Sequence, residues 1–361
     1  MDNICKQKIR LLCEGASVEK GIDKGRKSGA GPAGGSFFQL GDSVINLPLW
    51  PKFAQASKLK LINEDDDWKI IYNDELYCNL VKIPPPNFYS LRTTDGTLMK
   101  KIALLHGKDC LATTIYQKCV YWGKNLQCKF CGIEISMRES DTILKKSPKQ
   151  ILEVLLKGLE EKRIKYVTLT TGTLQKREKE VELYSEILEE LKANVKIPIH
   201  IQLEPASRKN LEKLAAIGLD TIGIHIENFD ENIRRRVCPG KYKSANIDMY
   251  KKSWKEAVEI FGEAQVSSYV IIGLGEEDES IIKGSEWLIR EGIIPFIVPI
   301  KPIIGTFFEN YHPPFTDRTL KICQKVADLF REYGLSPFKN KAGCVRCGGC
   351  SPINEAIKYL K

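Results

Sequence analysis

From residue 110 onward, short apolar runs alternate with amphipathic stretches of helical period, and this alternation restricts the possible folds more than any other feature of the chain. The runs at 111–118, 166–170, 197–203, 221–226, 266–272 and 294–300 have the length and β-branched content of strands. Between the first two, Ser147 stands at an N-cap, Pro148 at the first helical position and Gln150 where a capping box needs it. The apolar face of that helix runs through Ile151, Leu152, Leu155, Leu156 and Leu159. Later helices show Ser207 ahead of Leu211 and Leu214 with Gly218 past the end, and Thr316 ahead of Leu320, Val326 and Phe330 with Gly334 past the end. Six such units predict an α/β fold: a parallel sheet with helices outside it, curled into a partial (βα)6 barrel. In that architecture chemistry sits at the C-terminal ends of the strands.

The first 105 residues read differently. Residues 21–35 (GIDKGRKSGAGPAGG) form a Gly-rich loop with three basic side chains, read as a flexible or partner-contacting loop. Two hairpins follow, 37–40 with 43–49 around Gly41-Asp42 and 68–72 with 75–83 around Asn73-Asp74, and Pro84-Pro85-Pro86 closes the unit.

The net charge of +9 comes from scattered lysines rather than a basic block, which argues against nucleic acid and leaves a solvated surface or an acidic protein partner. The longest apolar runs are too short to span a bilayer, so no membrane is expected. The opening MDNICKQKIR lacks a signal-type apolar stretch, and the chain is read as cytoplasmic.

Twelve cysteines in a reducing compartment point to metal ligands, catalytic groups or core thiols rather than disulfides. Two tight groups stand out. Cys119, Cys128 and Cys131 directly follow the first predicted strand. Three thiolates from one loop can hold three irons of a [4Fe–4S] cube and leave the fourth open to an exogenous ligand. Spacing by itself leaves zinc and iron–sulfur about even. The second group is Cys344, Cys347 and Cys350, set among Gly343, Gly348 and Gly349, whose small size lets backbone N–H groups approach sulfur. It reads as an auxiliary cluster whose fourth position is Ser351, Cys5, Cys13 or open, with a zinc knuckle as the alternative. Cys323, Cys78 and Cys110 read as packing thiols, and Cys238, before Pro239-Gly240, as a buried or incidental one. Core packing is likewise the reading for Tyr116 and Tyr121 beside the first group.

The first cysteine loop resembles the radical S-adenosylmethionine (SAM) superfamily, whose common motif is C-x3-C-x2-C with an aromatic residue before the last cysteine, as Phe130 is here. This chain departs from it in a first gap of eight residues. Other elements are similar to the family's in strand order. Thr170, Thr171, Gly172 and Thr173 resemble the Gly-Gly-Glu element that holds the SAM amino group, with only backbone contacts carried over. Gln202 and Glu204 end the third strand and Glu227 the fourth, where they would hold the SAM ribose or amino group. For Glu227 an ion pair with Arg234–Arg236 is an equal alternative. Ile272 and Gly273 lie in a run similar to the G-x-I-x-G-x-x-E element on adenine, and Pro302 and Ile304 in one like the turn that closes over the nucleoside.

The Gly29-Ala-Gly31-Pro32 stretch, the Ile102–Gly107 approach to the first strand and Ala342–Cys350 resemble the biotin synthase-related branch. That branch includes proteins of nitrilase gene clusters and relatives of the archaeal two-protein lipoyl synthase. The resemblance implies SAM and a SAM-binding [4Fe–4S] cluster, a second auxiliary [4Fe–4S] cluster, a 5′-deoxyadenosyl radical, and sulfur insertion into an octanoyl chain on a carrier. It also implies a reductant protein of ferredoxin or flavodoxin type, with an acidic lipoyl carrier domain and a second radical SAM protein as further partners. The expected organisation is an N-terminal extension over 1–105, the barrel over 106–312, and a C-terminal helix with the auxiliary-cluster segment over 313–361.

Overall fold

A computed structural model describes residues 3–27 and 33–360 of the chain. The Gly29–Pro32 part of the glycine-rich stretch lies outside the described residues. Six parallel strands, Cys110–Thr114, Tyr166–Thr170, Ile199–Leu203, Thr221–Ile224, Val266–Ile272 and Ile294–Pro299, lie side by side in chain order. A short strand, Leu104–His106, pairs antiparallel with the first of them and forms one edge. The sheet is therefore the expected open, partial α/β barrel. The first strand ends four residues earlier than its apolar pattern, because from Ile115 the chain turns toward the cysteine loop.

The helix Pro148–Glu160 carries the full capping box read from Ser147 and Gln150. Ser207 caps Arg208–Ala216, its hydroxyl accepting from Asn210 N–H at 3.4 Å. Thr316 is the first residue of the helix Thr316–Glu332 rather than its cap, and its hydroxyl instead donates to Glu14 at 3.0 Å.

The N-terminal region forms a second, six-stranded sheet. Both predicted hairpins are present: Gly35–Leu40 with Ser43–Pro48, and Asp67–Tyr72 with Glu75–Lys82. Asn73 and Asp74 both have positive φ, the conformation a two-residue hairpin turn demands. Asp65-Asp66 forms a third such turn that the sequence reading did not mark, since neither residue is glycine or asparagine.

The helix Ile4–Glu14 was also not foreseen. It buries Cys5, Ile9 and Cys13 in the barrel-side core with Cys323, and Leu11 and Leu12 in the core of the N-terminal sheet. Its Lys8 is fully buried, with Nζ 2.8 Å from Glu355, 3.1 Å from Ser43 and 2.9 Å from the Gly348 carbonyl. One lysine thus ties the first helix, a hairpin and the second cysteine segment together. Among the described residues no helix is long and apolar enough to cross a membrane.

Candidate active site

The first cysteine group lies where the fold predicts chemistry, in the loop leaving the C-terminal end of the first barrel strand. Its long first gap is an anchored turn. Trp122 N–H bonds Cys119 O at 2.9 Å, Val120 N–H bonds Thr173 O at 2.8 Å, and Gly240 N–H bonds Leu126 O at 2.9 Å. Tyr121 inserts over Gly240, where an added Cβ would stand 2.4 Å from the ring, and its hydroxyl reaches Glu204 Oε2 at 3.3 Å. Gly172 performs the same service from the second strand. A Cβ there would stand 2.1 Å from Lys118 O and 3.0 Å from Cys119 N, so only glycine lets the Thr-Thr-Gly-Thr turn support the cysteine loop so closely.

Behind this loop the ends of the second, third and fourth strands hold a charged network. Glu204 accepts from Thr173 Oγ at 2.8 Å and pairs with Arg177 at 3.2 Å. Burial works against its charge, but Arg177 and then Lys241 outweigh it and hold the carboxyl below its usual range. Arg177 also pairs with Glu180, which in turn accepts from Leu174 N–H at 2.7 Å. Glu227 is paired with Lys241 rather than with the Arg234–Arg236 run. Arg234 is buried against Tyr250 and bonds Ala245 O, while Arg236 bonds Leu274 O. Burial opposes the Lys241 charge, yet Glu227 holds its pKa well above the usual lysine value. Glu227 has φ of 63°, a conformation that costs a side chain about 1–3 kcal/mol and is typical of functional sites. Its Oε2 is buried with no partner. Sequence reasoning did not identify Arg177 or Lys241, since neither stands beside its carboxylate in the chain.

The fifth-strand turn is stapled by Glu276. One oxygen accepts from Gly273 N–H and the other from Leu274 N–H, each at 2.8 Å, and Arg318 and Asn228 complete its shell at 3.0 and 3.2 Å. Gly273 and Gly275 both adopt positive φ there. Ile272 points into the main hydrophobic core, so only its backbone belongs to this turn. Pro302 is buried and Ile304 half-buried in the turn after the sixth strand, where Gly305 packs on Ile135 of the cysteine-loop segment.

The second group lies at the other end of the barrel. Gly343 packs on His200, Ala342 O accepts from Thr221, and Cys347 packs with Cys110, Ala112 and Tyr166. Cys110, Tyr166 and Thr221 are the first residues of their strands. Gln202 donates to Cys344 Sγ at 3.6 Å and Asn46 to Cys350 Sγ at 3.8 Å, as amide donors do around metal-bound thiolates. Of the considered fourth ligands, Ser351 is buried with its hydroxyl donated to Ile297 O and bonded by Ile353 N–H at 3.2 Å. Cys5 and Cys13 lie in the main core, Cys13 beside Thr319 at 3.4 Å. Cys110, read as a packing thiol, sits beside the second group, and Cys238 packs against Cys128 of the first.

One cavity of about 360 Å³ joins the two groups: Cys131 and Phe130 line one end, Cys344, Cys347 and Cys350 the other, with Thr168, Thr170, Gln202, Tyr269 and Phe296 between. Burial pushes the thiols of Cys131 up to about 12 and of Cys344 up to about 11, and also raises that of Cys119, so ligand formation must release protons. Among the described residues no three His, Cys, Asp or Glu side chains converge as a single metal ion would require. A cube in which each thiolate takes its own iron needs no such convergence. The thiol donors, the unpartnered Glu227 oxygen and the polar strand ends fit a cluster with a polar nucleoside beside it.

The chain is similar to known proteins over part of its length. Residues 125–288 match the family described as "Radical SAM superfamily". Bacteriochlorophyllide c C-7(1)-hydroxylase of Chlorobaculum limnaeum is 27% identical over 130 residues, 36% of this chain and 32% of that protein, so the chain spans about a third of the curated relative it matches. Among solved structures, methylornithine synthase is 20% identical with a TM-score of 0.45, covering 63% of this chain and 64% of its own. A radical SAM methyltransferase from Sphaerobacter thermophilus is 12% identical with a TM-score of 0.49, covering 80% and 76%. The family match spans residues 125–288, from within the cysteine loop that leaves the first barrel strand across the strands that follow, and over that stretch the chain is similar to the radical SAM superfamily.

Proposed function

We propose that the chain is a radical SAM enzyme that inserts sulfur at an unactivated C–H position, with the sulfur drawn from a cluster on Cys344, Cys347 and Cys350. The observation that carries this reading is the single cavity lined by Cys131 at one end and by all three cysteines of the second group at the other. When bound, the first cluster with SAM supplies a 5′-deoxyadenosyl radical. The chain's own part is positional. Tyr121, Gly172 and Gly240 hold the cysteine loop, while Glu204, Glu227 and Lys241 set a charged rim beside it. Phe37, Ile102, Leu104 and Phe296 contribute apolar wall to the interior between the groups.

The resemblance makes an octanoyl chain on an acidic lipoyl carrier domain the first substrate to try, with a ferredoxin- or flavodoxin-type reductant and a second radical SAM protein as partners. A second reading keeps the radical and gives the second group an electron-transfer or substrate-anchoring role; Gln202 and Asn46 donating to its sulfurs suit that equally.

Anaerobic reconstitution with iron and sulfide counts tests the reading. With SAM and a strong reductant the protein should form 5′-deoxyadenosine, and a Cys344/Cys347/Cys350→Ala variant should lose about four irons. No SAM cleavage removes the enzyme reading. Turnover that leaves the second cluster's sulfide intact removes sulfur donation and favours the second reading.

A further inference from the structure

The wall of this cavity carries several cationic side chains. Arg26, Lys100, Lys101 and Lys146 line it, and among the described lining residues there is no aspartate or glutamate. Arg26 is paired with Asp141, at 3.5 Å. Lys146 differs: it is buried to within 1% of complete, and the partners seen for its Nζ are neutral. It donates to Thr114 O at 2.6 Å. With the Gln117 amide oriented to satisfy both its ends, it also donates to Gln117 O at 3.2 Å, while Gln117 N–H bonds Ile133 O at 2.9 Å. An ammonium has three N–H donors, and one remains beyond these two acceptors. Isolated burial of a charge is costly unless an opposite charge meets it, and Thr114 and Gln117, which hold the Nζ, line the cavity together with Lys146.

We infer that Lys146 anchors a carboxylate inside the cavity, so that the molecule bound between the two cysteine groups carries its own carboxylate on an otherwise apolar body. Such a ligand restores charge balance at Lys146 by a charge-assisted hydrogen bond, while its aliphatic part lies on Phe296, Ala103 and Leu104. A chain tied to a carrier through an amide is neutral at that end and gains nothing from the lysine, so the inference favours a free acid over the carrier-bound octanoyl chain as the substrate in this cavity. The carboxylate comes from an aliphatic acid or from the amino-acid part of SAM, and the two are separable by experiment.

The inference rests on the cavity being the reaction chamber, but its test is equilibrium binding, which does not depend on turnover. Anaerobically reconstituted wild type and Lys146→Met are titrated calorimetrically with octanoate, octanamide, SAM and decarboxylated SAM. In wild type, octanoate should bind about tenfold or more tightly than octanamide, and Lys146→Met should abolish that ratio. If SAM supplies the carboxylate, the loss appears instead in the ratio of SAM to decarboxylated SAM. Wild-type protein that binds both members of each pair alike overturns the inference without recourse to the variant. Ratios unchanged in a folded variant do the same.

Discussion

The Tyr121 hydroxyl stands 3.3 Å from Glu204 Oε2, joining the long turn between the first two cysteines to the end of the third barrel strand. Glu204 is itself held by Thr173 and Arg177, so the turn is fastened to three successive barrel elements through one carboxylate. Removing that hydroxyl should loosen the loop more than the fold. Tyr121→Phe is expected to lower stability by about 1 kcal/mol. Its larger effect should be faster loss of cluster iron to a chelator, followed by visible absorbance. Iron loss at the wild-type rate would show that the turn is held by its backbone contacts alone.

Gly172 gives a sharper test of the same support. A methyl group there meets Lys118 O at 2.1 Å, and the atoms it meets are backbone. Gly172→Ala should cost about 2 kcal/mol or more and sharply reduce reconstituted iron. Gly123, on the open side of the turn with φ of 73° and no atom within 4 Å of its added Cβ, is the control. Gly123→Ala should cost about 1 kcal/mol and leave iron content near wild type. Urea midpoints and iron assays on both variants decide the matter.

Lys146 should impose a pH signature on stability. Burial, and next the charge of Arg26, lower its pKa from 10.5 to about 7. Below about pH 7 the folded chain carries a charge that the unfolded chain holds more easily, so the penalty is fully present there. It fades as pH rises toward about 10, where the unfolded chain also loses the proton. Lys146→Met removes this penalty. Relative to wild type, the variant should gain about 2–4 kcal/mol more at pH of about 6 than at pH of about 10, read from denaturant melts at both. A pH-independent difference would mean that Lys146 is charged throughout in the folded protein.

Glu276 holds the fifth-strand turn by accepting two backbone N–H groups, with Arg318 and Asn228 around it. Glu276→Ala leaves those donors buried and Arg318 without this carboxylate, and should cost about 3–5 kcal/mol. Glu276→Gln keeps the shape but supplies an amide where donors already crowd, and should lose about 1–3 kcal/mol. Thermal melts of the two variants, with Arg318→Met as a partner for a double-mutant cycle, measure the coupling.

The strand runs after residue 110 were legible because a buried parallel strand is apolar along its whole length, and the capping box at Ser147 and the hairpin turns because local chemistry decides them. The helix Ile4–Glu14 escaped notice because its two buried faces serve two different cores, and Lys8 looks like any surface lysine until Glu355, far away in sequence, meets it. Glu227 and Glu204 were legible as strand-end carboxylates, but not their partners Lys241 and Arg177. Pairing across strand ends follows from the curl of the sheet, and nothing local marks it.

The sequence by itself determined the barrel, its direction and the two sets of thiols, since these follow from periodicity and from residues close together in the chain. Only the tertiary structure decided that one cavity is lined both by Cys131 of the first set and by all three thiols of the second, whose neighbours include the first residues of three strands. The second set is more than 210 residues further along the chain, and it is the return of the C-terminal segment under the sheet, pinned by Lys8, Thr221 and Ile297, that brings it there.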